Sequence, residues 1–281
     1  MSIIEQALEK GRAEFKRARR ATDADAKTAA LEHQAAAIDP AARIRPLAVS
    51  IDSEACRERR LLMGAPDEDS AAVAAYRMLR TRLLHRARAK NWRTIAVTSA
   101  GPNDGKTLTA LNLALSMSRE KSRDVVLLDM DMRNPSVCRT LDVHPPHELR
   151  EYLERGENVR QLFFSVGSDN LLIAGSERPT DHASELLGSP RFDELVRIIR
   201  QGTVDPIVLL DLPPVLLTDD ALVVAPKVDA VLLVASEGLT GRANFTRALD
   251  ILSEFPIAGV VLNRAGETTP GYEYSYEVDE G

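Results

Sequence analysis

Residues Thr94 to Leu115 read T-I-A-V-T-S-A-G-P-N-D-G-K-T-L-T-A-L-N-L-A-L, and this stretch narrows the possible folds more than any other. A short apolar run, Ile95 to Val97, passes into a small turn-rich loop that closes on Gly105-Lys106-Thr107 and opens into an apolar, helix-favouring segment. Strand, glycine-bearing loop and helix in that order make a phosphate cradle, because successive backbone N–H groups and the positive end of the helix face one anion. In that geometry Lys106 reaches β- and γ-phosphates, and the Thr107 hydroxyl is placed for Mg²⁺. The spacing G-x-x-x-x-G-K-[ST] asks for glycine at position 100, where Ala100 stands instead. A chance Gly-Lys-Thr at a helix start is the plain alternative, and it weakens with each later strand.

Those strands show as continuous apolar runs. Val125-Val126-Leu127-Leu128 and Ile207-Val208-Leu209-Leu210 have no polar alternation, which is the pattern of parallel strands covered on both faces. Strands are expected at 94–99, 124–129, 171–174, 206–211, 229–235 and 257–263. Helices are expected at 107–120, 147–154, 184–201 and 241–254. Strand–helix alternation of this length predicts a doubly wound, mostly parallel α/β domain with ligands at the carboxyl ends of its strands. Two of the runs end in acids: V-V-L-L-D-M-D-M-R places Asp129, Asp131 and Arg133 there, and I-V-L-L-D-L-P-P places Asp211 there. Lys106/Thr107, Asp129/Asp131 and Asp211 are therefore delivered to one sheet edge. Phosphoryl transfer needs such a set: a lysine and a metal against the γ-phosphate, carboxylates for the metal and its waters, and one carboxylate for the nucleophile's proton. Singly, each Asp reads as a helix cap or an exposed turn.

Composition excludes several other classes. The 281 residues are 44% apolar and carry a net charge of −6, so the chain can bury a core and is not globally disordered. Residues 1–90 are net +5 and the remainder net −11. An acidic body argues against general nucleic-acid binding, whereas the basic front suits an anionic partner or simply a solvated helical face. Two cysteines, Cys56 and Cys138, with no signal peptide and no apolar run of membrane length, fit a cytoplasmic chain that meets the membrane only through a partner. The histidines of H-P-P-H, His144 and His147, lack a third ligand at metal spacing.

Three regions follow. Residues 1–66 hold an amphipathic helix over 1–20 (Ile4, Leu8, Gly11 and Phe15 on one face) and an Ala/Asp/Arg-rich linker with prolines at 40, 46 and 66. Residues 67–266 form the α/β domain, opening with a helix over 67–90 whose stripe is Val73, Tyr76, Leu79, Leu83 and Leu84. Residues 267–281 read as a flexible tail, polar and acidic, with three of the chain's five tyrosines: Tyr272, Tyr274 and Tyr276.

The trio S-A-G-P-N-D-G-K-T, L-L-D-M-D-M-R and L-L-D-L-P-P resembles the Walker A, A′ and B motifs of bacterial tyrosine kinases, the autophosphorylating P-loop enzymes of capsule and exopolysaccharide export. The resemblance covers about residues 60–281, and M-S-I-I-E-Q-A-L-E-K looks like the start of the cytoplasmic, exosortase-associated subgroup. No H-R-D or D-F-G element is present, so the eukaryotic kinase mechanism does not apply. The resemblance implies ATP and Mg²⁺ as cofactors, with residues Ala100, Gly101, Pro102, Asn103, Asp104, Gly105, Lys106, Thr107 and Leu108 around the phosphates. It implies metal positioning by Thr107, Asp129 and Asp211, and Asp131 as the base for the tyrosine proton, with Asp129 able to exchange roles with it. Arg133 would orient the A′ loop or meet a phosphotyrosine, and Asn263 in V-V-L-N-R would contact adenine. Tyr272, Tyr274 and Tyr276 become phosphoacceptors, modified in trans within a homo-oligomer. A transmembrane activator of the chain-length-determinant type becomes the partner, recruiting the chain to the inner face of the plasma membrane. In the family's ring-forming helix, E-x-x-R-x-x-R, Arg77 and Arg80 fit but Ala74 replaces the glutamate. The competing reading is a partitioning or positioning ATPase, driven to dimerise by ATP. Such enzymes use a second lysine early in the loop, where this chain has Gly101 and Pro102. A third reading, a scaffold that binds nucleotide and transfers nothing, follows from Ala74 and the short tail.

Overall fold

Residues 43–63, 70–156 and 158–266 are described by a computed structural model. The helix expected over 1–20 and the three tail tyrosines lie outside them. Eight strands form one sheet: β1 (Leu47–Val49), β2 (Thr94–Ser99), β3 (Val125–Asp129), β4 (Phe164–Val166), β5 (Leu171–Ala174), β6 (Ile207–Asp211), β7 (Ala230–Ser236) and β8 (Ile257–Asn263). Their order across the sheet is β1-β4-β5-β3-β6-β2-β7-β8. Every pairing is parallel except that of β4 with β5. The central strands β3, β6, β2 and β7 are buried along their whole length, as their unbroken Val/Ile/Leu runs require.

Helices cover both faces. One face carries α1 (Ser53–Glu58), α2 (Ala71–Lys90), α3 (Lys106–Met117) and α4 (Val137–Leu141). The other carries α5 (Leu149–Arg155), α6 (Ala183–Gly188), α7 (Pro190–Gly202), α8 (Asp220–Val224) and α9 (Arg242–Leu252). The expected stripe of α2 packs inward: Val73, Leu83 and Leu84 are buried, and Tyr76 and Leu79 pack against the same apolar cluster.

Three expectations change. Part of the supposed linker, residues 43–63, is built into the domain: β1 pairs with β4, and Ile44, Cys56 and Leu61 are buried. A three-residue strand is too short to carry a period, so nothing in the composition announced β1 or β4. The helix expected over 184–201 is two helices, α6 and α7, because Ser189 is extended (ψ 155°) immediately before Pro190; proline disfavours helical backbone in the residue ahead of it and starts a new helix well. Arg80 of α2 is spent internally, donating to the Ser116 carbonyl at 2.9 Å and lying 3.6 Å from Glu120. It therefore leaves Arg77, which is exposed, as the outward arginine of the expected ring helix.

Candidate active site

The register of the sheet assembles the site. Asp129 and Asp211 are direct neighbours across β3 and β6, and Asp211 also pairs with Val97 of β2, the strand that runs into the glycine loop. From that loop Lys106 and Thr107 open α3. The Lys106 ammonium lies 2.8 Å from Asp131 Oδ2 and 3.4 Å from Asp211 Oδ1. The Thr107 hydroxyl donates to Asp211 Oδ2 at 2.5 Å and lies 3.0 Å from the Ser136 hydroxyl. Residues 104 to 107 thus share a corner with all three strand-end acids.

The loop itself is held by its own side chains. Asp104 is buried; its Oδ2 accepts from the Gly101 N–H at 2.9 Å and its Oδ1 from the Thr240 hydroxyl at 2.7 Å. Gly105 has φ +90°, a conformation that glycine adopts freely. A Cβ there would stand 2.0 Å from the Asn263 amide nitrogen, which donates to the Asp104 carbonyl at 2.9 Å. Asn263 therefore braces the loop from the last strand. Ala100 is fully buried and is not among the residues with positive φ, so the usual glycine is dispensable at that position.

The acids differ in what they touch. Asp129 Oδ2 accepts from the N–H groups of Ser136 and Val137, both at 2.9 Å, which fastens the start of α4 to the end of β3. Asp131 lines the cavity beside the loop, whose volume is about 570 Å³, together with Lys106, Thr107, Pro213 and Asn263. Arg133 also lines this cavity, and its guanidinium donates to both oxygens of the buried Asp220, at 2.8 and 3.2 Å, and to the Ser184 hydroxyl. This clamp ties the loop after β3 to α6 and α8.

Electrostatics follow from burial. Asp129, Asp131 and Asp211 are at most 3% exposed, with one lysine among them. Burial and the neighbouring Asp211 push the Asp129 carboxyl up to about 7. Burial likewise raises Asp211, against the pull of Lys106 and Thr107. For Lys106 burial opposes the charge, yet Asp211 and Asp131 outweigh it and hold the ammonium above the ordinary lysine range. An excess of buried carboxylate of this kind, with the Thr107 hydroxyl alongside, suits a divalent cation. Among the described residues no three His, Cys, Asp or Glu side chains are arranged to hold a metal alone. Mg²⁺ carried by phosphate oxygens and water, with one or two protein oxygens, needs no such set.

A consequence for stability can be checked directly. Asp129 titrates near 3.8 when unperturbed and near 7 here, so between those values the folded chain holds a proton that the unfolded chain has lost. The stability of the ligand-free protein should therefore fall as pH rises through that window. Thermal melts from about pH 5 to pH 8 should show this decline, and Asp129→Asn should flatten it.

Sequence reasoning missed three contributors: Ser136, Thr240 and Asp220. Ser136 follows Asn134-Pro135, a turn signal that could have flagged it. The other two act across the fold, 136 and 87 residues from their partners, and leave no local trace.

Fold and site together define a P-loop nucleotide-binding α/β domain. Residues 90–278 match the model of the ParA family, described as NUBPL iron-transfer P-loop NTPase, and the chain belongs to that family. Its curated relatives include the tyrosine-protein kinase YwqD of Bacillus subtilis, 25% identical over 78% of this chain and 92% of YwqD. The tyrosine-protein kinase etk of Escherichia coli K12 is 27% identical over 80% of this chain, which spans 31% of etk. Among solved structures, the kinase domain of Escherichia coli tyrosine kinase ETK superposes with a TM-score of 0.66 at 27% identity, covering 76% of this chain and 85% of that domain. No helix of the described residues is long and apolar enough to cross a membrane.

Proposed function

We propose that this chain is an ATP-dependent protein-tyrosine kinase that phosphorylates Tyr272, Tyr274 and Tyr276 in trans, from one copy to another. One observation carries the reading: Lys106, Asp131 and Asp211 meet within 3.4 Å at the mouth of the glycine loop. Kinase relatives on both the sequence and the structure side support it. Residues 101–107 would wrap the phosphates, and Lys106 would exchange its carboxylate partners for β/γ-phosphate oxygens. Thr107, with Asp129 and Asp211 behind it, would hold Mg²⁺, whose charge offsets that of the triphosphate. Asp131 is the acid of the three that lines the cavity, which favours it as the group that takes the tyrosine proton. The tyrosine oxygen then bonds to the γ-phosphorus, the bond from that phosphorus to the β–γ bridging oxygen breaks, and ADP leaves. Asn263 braces the loop and lines the same cavity, so adenine contact would be a second duty for it.

The resemblance further suggests a role in capsule or exopolysaccharide production, a homo-oligomer, and activation by a separate transmembrane protein. This chain spans 31% of the length of etk and 92% of that of YwqD. The ParA match favours a second reading, a positioning ATPase without phosphotransfer. Mass spectrometry after incubation with ATP and Mg²⁺ separates the two. The kinase reading expects phosphate on Tyr272, Tyr274 or Tyr276, and ATP turnover with none, activator present, would refute it.

A further inference from the structure

Four arginines line the candidate cavity along with the catalytic groups: Arg133, which is clamped to Asp220, and Arg60, Arg139 and Arg264. The last three are exposed. Among the described residues Arg60 and Arg264 meet no carboxylate, and Arg139 makes only a 3.3 Å contact to the Asn134 side-chain carbonyl. Arginines whose role is structural are paired, as Arg123 is with Asp205 and Arg133 with Asp220, whereas these three lie at the opening of the site itself. Three solvated cations gathered on one opening of a chain with an acidic body make that opening locally positive, which favours an anionic visitor.

Each arginine stands on a fixed frame. Arg60 sits at φ +59°, and its carbonyl accepts from the buried Asn112 of α3 at 3.0 Å, while Asn112 in turn accepts from the Leu62 N–H at 2.9 Å. Arg139 belongs to α4, whose first N–H groups hold Asp129. Arg264 follows Asn263, whose side-chain carbonyl accepts its N–H at 2.9 Å. The rim is therefore tied to the phosphate loop, the strand-end acids and the last strand.

We infer that Arg60, Arg139 and Arg264 form a cationic rim that selects acceptor tyrosines flanked by carboxylates. This rests on the kinase reading for what happens to the tyrosine, but the rim's preference is a binding property and stands apart from transfer. The chain carries a matching segment: Gly271 to Gly281 reads G-Y-E-Y-S-Y-E-V-D-E-G, with Glu273, Glu277, Asp279 and Glu280 around the three tyrosines. Charges arranged this way steer encounter and set specificity more than raw affinity, and salt screens them.

The test uses the full chain with Mg²⁺ and a non-hydrolysable ATP analogue. It compares a fluorescent peptide copying residues 271–281 with one carrying Glu273→Gln, Glu277→Gln, Asp279→Asn and Glu280→Gln. Wild type should bind the acidic peptide about tenfold more tightly at low salt, with the ratio shrinking as salt is added. In the triple variant Arg60→Gln, Arg139→Gln, Arg264→Gln the ratio should fall to about one, and the corresponding lysine variant should keep most of it. The ratio of kcat/KM for the two peptides should move in parallel. An unchanged ratio in the glutamine variant overturns the inference. So does a loss that falls on nucleotide affinity and leaves the peptide ratio intact, which would give the arginines to ATP. If neither peptide is phosphorylated yet the binding preference behaves as expected, the rim stands and the kinase reading fails.

Discussion

Lys106→Met should reduce tyrosine phosphorylation of the chain by at least about 10²- to 10³-fold, the usual effect of deleting one charge-stabilising donor. The side chain contacts two acids, Asp211 at the end of β6 and Asp131 just past the end of β3, and no other lysine lines the cavity. The substitution leaves Asp131 and Asp211 without their counter-charge, but Asp211, whose carboxyl burial already raises, can take up a proton rather than force the fold apart. The variant should therefore remain folded and lose function selectively. Intact-mass analysis after incubation with ATP and Mg²⁺ reads the first property, and circular dichroism the second. Phosphotyrosine at wild-type levels in a folded Lys106→Met protein would remove the lysine from the reaction.

Gly105→Ala should be the most damaging single methyl in the loop. Two costs combine: φ at +90° disfavours any L side chain, and the new Cβ would meet the Asn263 amide nitrogen at 2.0 Å. Strain and overpacking of this sort cost about 2–4 kcal/mol together. Because Asn263 also donates to the Asp104 carbonyl, relief by moving Asn263 would release the loop. Nucleotide affinity should fall with stability, measured by calorimetric titration and urea unfolding. Adding Asn263→Ala should return part of the stability, since it removes the clash but not the backbone strain. No recovery in the double variant would mean the conformation of Gly105 accounts for the whole effect.

Much of this site was visible before any coordinates. Buried parallel strands are apolar throughout, so their ends show as abrupt polar residues, and that exposed Asp129, Asp131 and Asp211 to a reader of the chain. The G-K-T at a helix start placed Lys106 and Thr107 in the same way. What stayed hidden was contact between distant segments. Asp104 reads in sequence only as one of the residues around the phosphates, yet it is the post to which Gly101 and Thr240 are tied. Arg133 looked available for a phosphate, and only the fold brings Asp220 to it. The stretch 43–63 has the composition of a linker, but Cys56 and Leu61 are buried in the core and Asn112 grips its backbone.

The position of Asn263 carries a consequence for competition among substrates. Asn263 and Arg264 line the cavity, and Tyr272 follows nine residues after Asn263, a contour of at most about 30 Å. On the kinase reading, in which transfer runs in trans within a homo-oligomer, each site thus has a neighbouring copy's acceptor leashed nearby, at an effective concentration on the order of millimolar. A foreign tyrosine must outbid that resident until the leash is capped with phosphate, so the enzyme would turn to other proteins only after it has finished with itself.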